Sequence, residues 1–284
     1  MRQPLVALCA LDAYPIEVYR HLLNVNPACQ DFMMGDVRDQ ALVHRLVGES
    51  DFVIHAAALA DVAACTRSPQ TAIDSNITGT QTVLSAAAAS DRLQRLVFVS
   101  SASVYGNGNP EDWAAPRDEH RDMRELLAGI YGRTPPRFAE SRPLRPLLVY
   151  ANTKAFGEVQ TKLVLGAVGT SHAIVRYFSV YGEPQVTKPG SHSWVVAGFA
   201  SRVELGLPLH LHGGGHQVRD LVHVDDIAEG TLRALTTPQA DGEMVNIGTG
   251  RPTTIRRVAE LVAEHGGGAE LLETPKPPGD PLGG

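Results

Sequence analysis

Short, unbroken apolar runs alternate with longer stretches of helical spacing along most of this chain. Residues 5–11 read as a strand, residues 31–34 as a second, short one, and residues 40–47 have helical spacing. Residues 51–57 (DFVIHAA) form the next apolar run, and residues 68–88 follow as a long helix with alanines in its second half. Residues 93–100 (LQRLVFVS) predict a strand, 145–165 a helix and 171–178 a strand. Strands that are apolar throughout, rather than alternating, are covered on both faces, so the pattern predicts an α/β fold built on a doubly wound parallel sheet.

Two regions break this rhythm. Residues 107–143 mix prolines and glycines with charged residues, which reads as a surface insertion with one short helix at 122–127. After Tyr181, helical segments near 193–205, 225–235 and 255–265 are joined by Gly/Pro-rich turns and short strands. That is the composition of a smaller C-terminal lobe for holding a substrate. The expected division is residues 1–180 and 181–284, the second interleaved with the first.

With 284 residues, 43% of them hydrophobic, the chain can bury a large α/β core or a core plus a small lobe. The net charge of -6, with both signs scattered, provides no basic stripe, and no nucleic-acid partner is expected. Cys9, Cys29 and Cys65 are widely spaced without a CxxC, which argues against a disulfide framework and fits a reducing compartment. The run at 5–11 follows Arg2 and superficially resembles a signal peptide. It is short and Asp12 follows at once, so a buried strand explains it better. No stretch approaches the roughly 18 apolar residues of a membrane span, and the expected location is the cytoplasm. His210, His212 and His216 around Gly213–Gly215 invite a metal reading, but no carboxylate or thiolate is spaced to complete the set. A strand followed by a glycine turn, and no metal, is the expectation.

The candidate chemistry starts with Tyr150-Ala-Asn-Thr-Lys154. Four residues apart on a helix, the two side chains share one face, a turn apart. A lysine ammonium close to a phenol favours the phenolate and lowers the tyrosine pKa toward working pH. Upstream, a buried strand ends in Ser100-Ser101-Ala102-Ser103-Val104-Tyr105-Gly106. The carboxyl ends of parallel strands form the binding crevice, so the Ser101 hydroxyl there can bond a substrate oxygen and share its proton with Tyr150.

These segments, with RYFSVYG (176–182), VRDLVHVDDIA (218–228) and VNIGTG (245–250), occur in the order found in extended short-chain dehydrogenases/reductases. From about residue 5 to 280 the chain most resembles the NAD-dependent nucleotide-sugar epimerases and dehydratases of that family. The resemblance implies a Rossmann-like sheet, NAD as cofactor and a nucleotide sugar as substrate, with Ser101, Tyr150 and Lys154 as catalytic residues. It implies that Asp12 binds the adenosine ribose; no Arg follows at 13 or 14, which favours NAD over NADP. It further implies that Asp36 and Val37 contact adenine and that Ala56, Ala57 and Ala58 form a small-residue turn along the cofactor. Asn76 matches a position that supports the active site, and Phe178, beside Tyr177, matches one near the nicotinamide.

For the substrate, Arg219 matches an arginine that meets the diphosphate, where a permanently charged fork is well suited. His210 and His212 match the strand beside the nucleotide base, and Ser179 stands where an Asn usually contacts the substrate. Dehydratases of the family usually place an Asp-Glu pair after the position of Ser101, and decarboxylases a Glu. Ala102 and Ser103 carry no carboxylate, which leaves hydride and proton transfer, as in C4 epimerisation or keto-sugar reduction. The resemblance also implies a homodimer through the two long helices, 68–88 and 145–165, where Ala86–Ala89 would permit close packing, although internal packing explains these alanines equally well.

Two features depart from the family pattern. The family opens with a strand, a GxxGxxG loop and a helix whose N-terminus receives the pyrophosphate. No GxxGxxG occurs here, and the sequence starts at what is normally the second strand. The expectation is an N-terminally truncated sheet, with a gap at the centre of the 3-2-1-4-5-6 order. A true start upstream is the preferred account; residues 5–11 sliding into the central place and a non-catalytic binding relative are the others. Near the far end, Pro277 in PPGD (277–280) replaces a family Arg that commonly binds diphosphate.

Overall fold

The computed structural model describes residues 35–107, 125, 129, 137–183, 185, 187 and 194–275, together with the backbone of two short strands. Those strands, β1 (Ala7–Leu8) and β2 (Asp31–Phe32), pair in parallel. The chain continues through α1 (Gln40–Gly48), β3 (Phe52–His55) and α2 (Val62–Arg67). Next come α3 (Pro69–Ala72), a π-helical turn (Ile73–Thr78), α4 (Gly79–Ala88) and β4 (Arg95–Ser101). After a 3-10 turn (Ala102–Tyr105) follow α5 (Val149–Val168), β5 (His172–Tyr177), β6 (Ser179–Tyr181) and α6 (Val195–Glu204). The last elements are β7 (Leu209–His212), β8 (Val218–His223), α7 (Val224–Thr236), β9 (Met244–Ile247), β10 (Pro252–Thr254), α8 (Ile255–His265) and β11 (Leu271–Thr274).

The main sheet has the order β3-β4-β5-β9 and is parallel throughout. Alternate residues of β4 point to opposite faces, and each face has its own cover. Leu96 and Phe98 pack with Val43 and Val47 of α1, Val83 and Leu84 of α4, and Leu165 of α5. Val97 and Val99 pack with Ala234 and Leu235 of α7. The doubly wound α/β fold expected from the apolar runs is therefore present. Burying a side chain such as Leu96 or Phe98 contributes about 1.5–3 kcal/mol. The close approach of α5 to the sheet requires Gly157, because a Cβ there would lie 2.2 Å from the Phe98 ring.

The remaining strands make a three-stranded mixed sheet, β10-β8-β6, and a parallel pair, β11-β7. Phe199 of α6, Leu209 and Leu211 of β7, and Val258 and Ala259 of α8 form a separate core. Among the described residues, β3 carries a ladder to β4 alone and β1 pairs with β2 in a separate sheet.

Several elements differ from expectation. The helix expected at 145–165 begins at Val149 and runs to Val168. Arg145 instead donates its backbone N–H to Val104 O, and the residue before Pro146 is disfavoured in helical conformation. The long helix at 68–88 is interrupted by its π-helical turn, and α2 had no sequence expectation. The strand expected at 51–57 is shorter, at Phe52–His55, while of those expected at 5–11 and 31–34 the described residues are Ala7–Leu8 and Asp31–Phe32, both strand. The helix expected at 122–127 lies outside the described residues apart from Glu125, and the PPGD segment lies outside them entirely.

Candidate active site

Three consecutive residues at the carboxyl end of β4 each hold a different side chain of α5. Val99 O accepts a 2.8 Å hydrogen bond from Lys154 Nζ. Ser100 Oγ donates to Glu158 Oε1 at 2.5 Å. Ser101 hydrogen-bonds the Tyr150 side chain, and its Oγ accepts from Ser103 N at 3.2 Å. Tyr150, Lys154 and Glu158 follow one another at four-residue steps, so one helix face meets the strand end. Ser101, Tyr150 and Lys154 are thus brought together.

Lys154 is buried, with Nζ 5.3 Å from the Phe98 ring centroid and 6.0 Å from that of Tyr150. Burial pushes its pKa down to about 8. Tyr150 moves the other way. Burial pushes its phenol up to about 12, against the opposing hydrogen bond from Ser101. The expectation that Lys154 draws the Tyr150 pKa toward working pH is corrected for the protein alone. The ammonium is committed to the Val99 carbonyl, and desolvation of the phenolate dominates. His55, at the end of β3, is also buried; desolvation first and the Lys154 charge second push it down to about 3. Its Nε2 lies 2.9 Å from Thr80 Oγ1.

Asn76 sits on the π-helical turn and is buried. Its Oδ1 accepts from Leu59 N at 2.7 Å, and its Nδ2 donates to Leu59 O at 3.1 Å and to Thr153 Oγ1 at 3.0 Å. Thr153 Oγ1 donates in turn to Tyr150 O at 2.7 Å. The wide turn brings a polar amide between the loop after β3 and the first turn of α5, a placement π-turns often have at functional sites.

A cavity of about 1240 Å³ opens beside these groups. Ala56, Ala58, Ser101, Tyr150, Lys154 and Phe178 line one side, while Ser179, Arg202, His210, His212 and Arg219 line another. Among the described residues that line it there is no Asp or Glu. Ser103 is also among the lining residues, and its Oγ is buried without a hydrogen-bond partner. Arg202 donates to Pro208 O at 2.6 Å and lies 3.3 Å from His210 Nε2. His212 Nδ1 lies 2.8 Å from Thr274 Oγ1, and Arg219 Nη1 donates to Val218 O at 2.8 Å. Among the described residues no group of histidines, cysteines and carboxylates is arranged to hold a metal. His210 and His212 lie on β7, and the glycines after them form a 3-10 turn, as expected.

Other expected cofactor residues lie elsewhere. Val37 is buried in the core, its side chain filling the space above Gly79. Arg38 chelates the Asp36 carboxylate at 3.0 Å through Nε and 2.5 Å through Nη2, which holds Asp36 below its usual pKa. Ala57 packs against the core between its two cavity-lining neighbours. Asp12 lies outside the described residues.

The motif reading passed over the groups beneath the dyad. Arg176 meets Glu158 at 2.8 Å through Nε and 2.6 Å through Nη2, and Nη1 donates to Tyr105 OH at 2.6 Å. Tyr105 OH donates to Asn246 Oδ1 at 2.8 Å. A signal was present: Glu158 follows Lys154 by one turn, and Arg176 is a charge inside an otherwise apolar strand.

The residues present fit the nicotinamide end of a dinucleotide. Alanines at 56 and 58 leave room along the carboxyl ends of the parallel strands, and a buried ammonium stands beside a phenol.

The family model described as "NAD dependent epimerase/dehydratase family" matches residues 9–125 and 128–248. The chain is 30% identical over 257 residues to a putative UDP-glucose 4-epimerase of Methanocaldococcus jannaschii, covering 89% of this chain and 74% of that protein. It is 31% identical to the UDP-N-acetyl-alpha-D-glucosaminuronate decarboxylase of Bacillus cytotoxicus, covering 79% of this chain but 62% of that protein's length. Among solved structures, the UDP-glucose 4-epimerase of Thermotoga maritima with UDP-glucose superposes with a TM-score of 0.80 at 26% identity. That match covers 98% of this chain and 80% of the other.

Proposed function

The chain belongs to the NAD dependent epimerase/dehydratase family, and from that premise we propose that it is a nucleotide-sugar epimerase acting at C4 through a keto-sugar. The observation that carries this reading is a cavity lined by Ser101, Tyr150 and Lys154, with no carboxylate among the described residues of its lining. Expelling water from a sugar, as the family's dehydratases do, needs an acid and a base beyond the tyrosine. Ala102 and Ser103 supply neither. The keto-sugar reductase alternative shares the same groups, and product analysis separates the two.

In this reading Tyr150 takes the proton of the sugar C4 hydroxyl and later returns it. Ser101 holds the reacting oxygen by sharing a hydrogen bond with Tyr150. Lys154, fixed to Val99 O, keeps a positive charge near the phenol. Bound NAD would supply the hydride acceptor and donor and, when oxidised, a further positive charge that favours the phenolate. Tyr150, Lys154, Ala56, Ala58 and Phe178 would hold its nicotinamide end. The cavity, at about 1240 Å³, is larger than the roughly 300–1,000 Å³ of ordinary ligand pockets, in keeping with a ligand as large as a nucleotide sugar beside a cofactor. Arg219, Arg202, His210 and His212 would meet the anionic nucleotide, with Ser179 and Ser103 nearer the sugar.

We assign the assembly to a homodimer. Phe156, Val159 and Leu163 form an exposed stripe along α5, and Ile73 is exposed on the neighbouring π-turn. No helix among the described residues is long and apolar enough to cross a membrane. Cys65 is a buried free thiol, in keeping with a cytoplasmic setting.

The test incubates the protein with NAD and UDP-, dTDP- and GDP-sugars and resolves the products by stereochemistry. A C4 epimer from at least one donor is expected, and Tyr150→Phe should lower kcat by about 10²- to 10⁴-fold. An active Tyr150→Phe enzyme would refute the assignment.

A further inference from the structure

Ser100, Arg176 and Asn246 are in register across β4, β5 and β9, one residue before the row that ends at Ser101 and Tyr177. This row is polar and lies next to the apolar positions Val99 and Val175 of the same sheet. Arg176 is 1% exposed and Glu158 2% exposed, and neither touches the cavity. A buried ion pair is weak evidence for stability, since apolar residues of similar size often serve the fold as well. Its use is better sought in what it holds.

The pair holds both partners of the dyad. Glu158 receives Ser100 Oγ at 2.5 Å and both arms of Arg176 at 2.8 and 2.6 Å, so its carboxylate locks α5 to the ends of β4 and β5 at once. Val99 and Ser101, on either side of Ser100, are the residues that hold Lys154 and Tyr150. Arg176 also lies 4.6 Å over the Tyr105 ring, and its bond to Tyr105 OH continues to Asn246. That second branch anchors the 3-10 turn carrying Ala102 and Ser103. A rotation or slide of α5 against β4 would break all these bonds together.

We propose that Glu158 and Arg176 are positioning residues, setting the register of α5 against the end of β4 and thereby the placement of Tyr150 and Lys154. The consequence for turnover rests on the epimerase reading above; the mechanical claim does not.

The experiment compares Glu158→Gln, Glu158→Asp and Arg176→Lys with the parent by two readouts. Steady-state kinetics should show kcat falling about 10- to 100-fold, because small misplacements of reacting groups are costly, with KM for the sugar nucleotide within about three-fold. Hydrogen exchange should quicken in peptides covering 96–105 and 149–158 while peptides from the β7–α8 core keep the parent rate. Glu158→Asp keeps the charge but cannot span the same distances, and should share the defect. A uniform rise in exchange across the chain, or variants within two-fold of the parent kcat with unchanged exchange, overturns the proposal. If the parent turns over no sugar nucleotide, the epimerase reading fails while the exchange experiment still decides the positioning claim.

Discussion

The amide nitrogen of Asn76 stands 3.0 Å from the Thr153 hydroxyl oxygen, joining residues 77 positions apart in the chain. Through the same side chain Asn76 also grips both backbone polar groups of Leu59. Replacing it with Ala leaves the partly buried Leu59 N–H without this partner and its C=O with the weak Cys65 thiol donor at 3.2 Å. A loss of about 1–3 kcal/mol is expected in urea unfolding, with an unchanged m value. Because Thr153 bonds Tyr150 O, kcat should fall more than the unfolded fraction explains. A variant with parent kcat would remove Asn76 from the support of the site.

Lys154→Met exchanges a buried ammonium for an apolar chain of similar length. The folded pKa near 8 lies below the ordinary 10.5, so between those values the unfolded chain binds more protons and parent stability rises with pH. The variant should lack this rise. Its advantage, up to about 3 kcal/mol less the lost bond to Val99, should be fullest below pH 8 and gone by about 10.5. Turnover should be lost at every pH. Denaturant midpoints measured across that range give the sign directly.

His55 predicts a slope of the same sign at the acid end. Its folded pKa is pushed to about 3 from 6.5, so the unfolded state gains a proton first as pH falls. Stability from this residue is present above about 6.5 and drains away toward 3. Between pH 6.5 and 4 the parent should lose on the order of 2–3 kcal/mol more than His55→Gln. Equal losses in the two proteins would remove His55 as the source.

Leu163→Glu tests the homodimer. Leu163 is 64% exposed on α5, so a charge there should leave the fold intact and cost the monomer less than about 0.5 kcal/mol. Sedimentation should give a dimer for the parent and a monomer for the variant. A parent that sediments as a monomer dismisses the assembly.

The sheet was legible because its strands are apolar on both faces, and β4, β5 and α8 fall within two residues of their expected limits. The dyad was legible because four-residue spacing on a helix has one geometric meaning. The start of α5 was displaced because Leu144 to Leu148 carry helix-forming side chains around prolines, and composition alone does not show which preference wins. The buried pair escaped because an Arg and a Glu 18 positions apart reveal no relation until two strands and a helix converge. The Tyr150 pKa misled for a related reason: spacing placed Lys154 nearby but could not show its ammonium turned to Val99 O.

The π-helical turn at Ile73–Thr78 fits one more residue into its circuit than the α-helical segments on either side. Each residue turns an α-helix by about 100°, so this turn fixes a phase offset between residues 69–72 and α4. Deleting one residue there would restore a regular helix and narrow the turn that carries Asn76. The narrower turn would carry Asn76 away from Leu59 and Thr153. Chain length in this segment is thus a setting of the site in its own right, and a one-residue deletion within it should be far more damaging than any conservative substitution at the same positions.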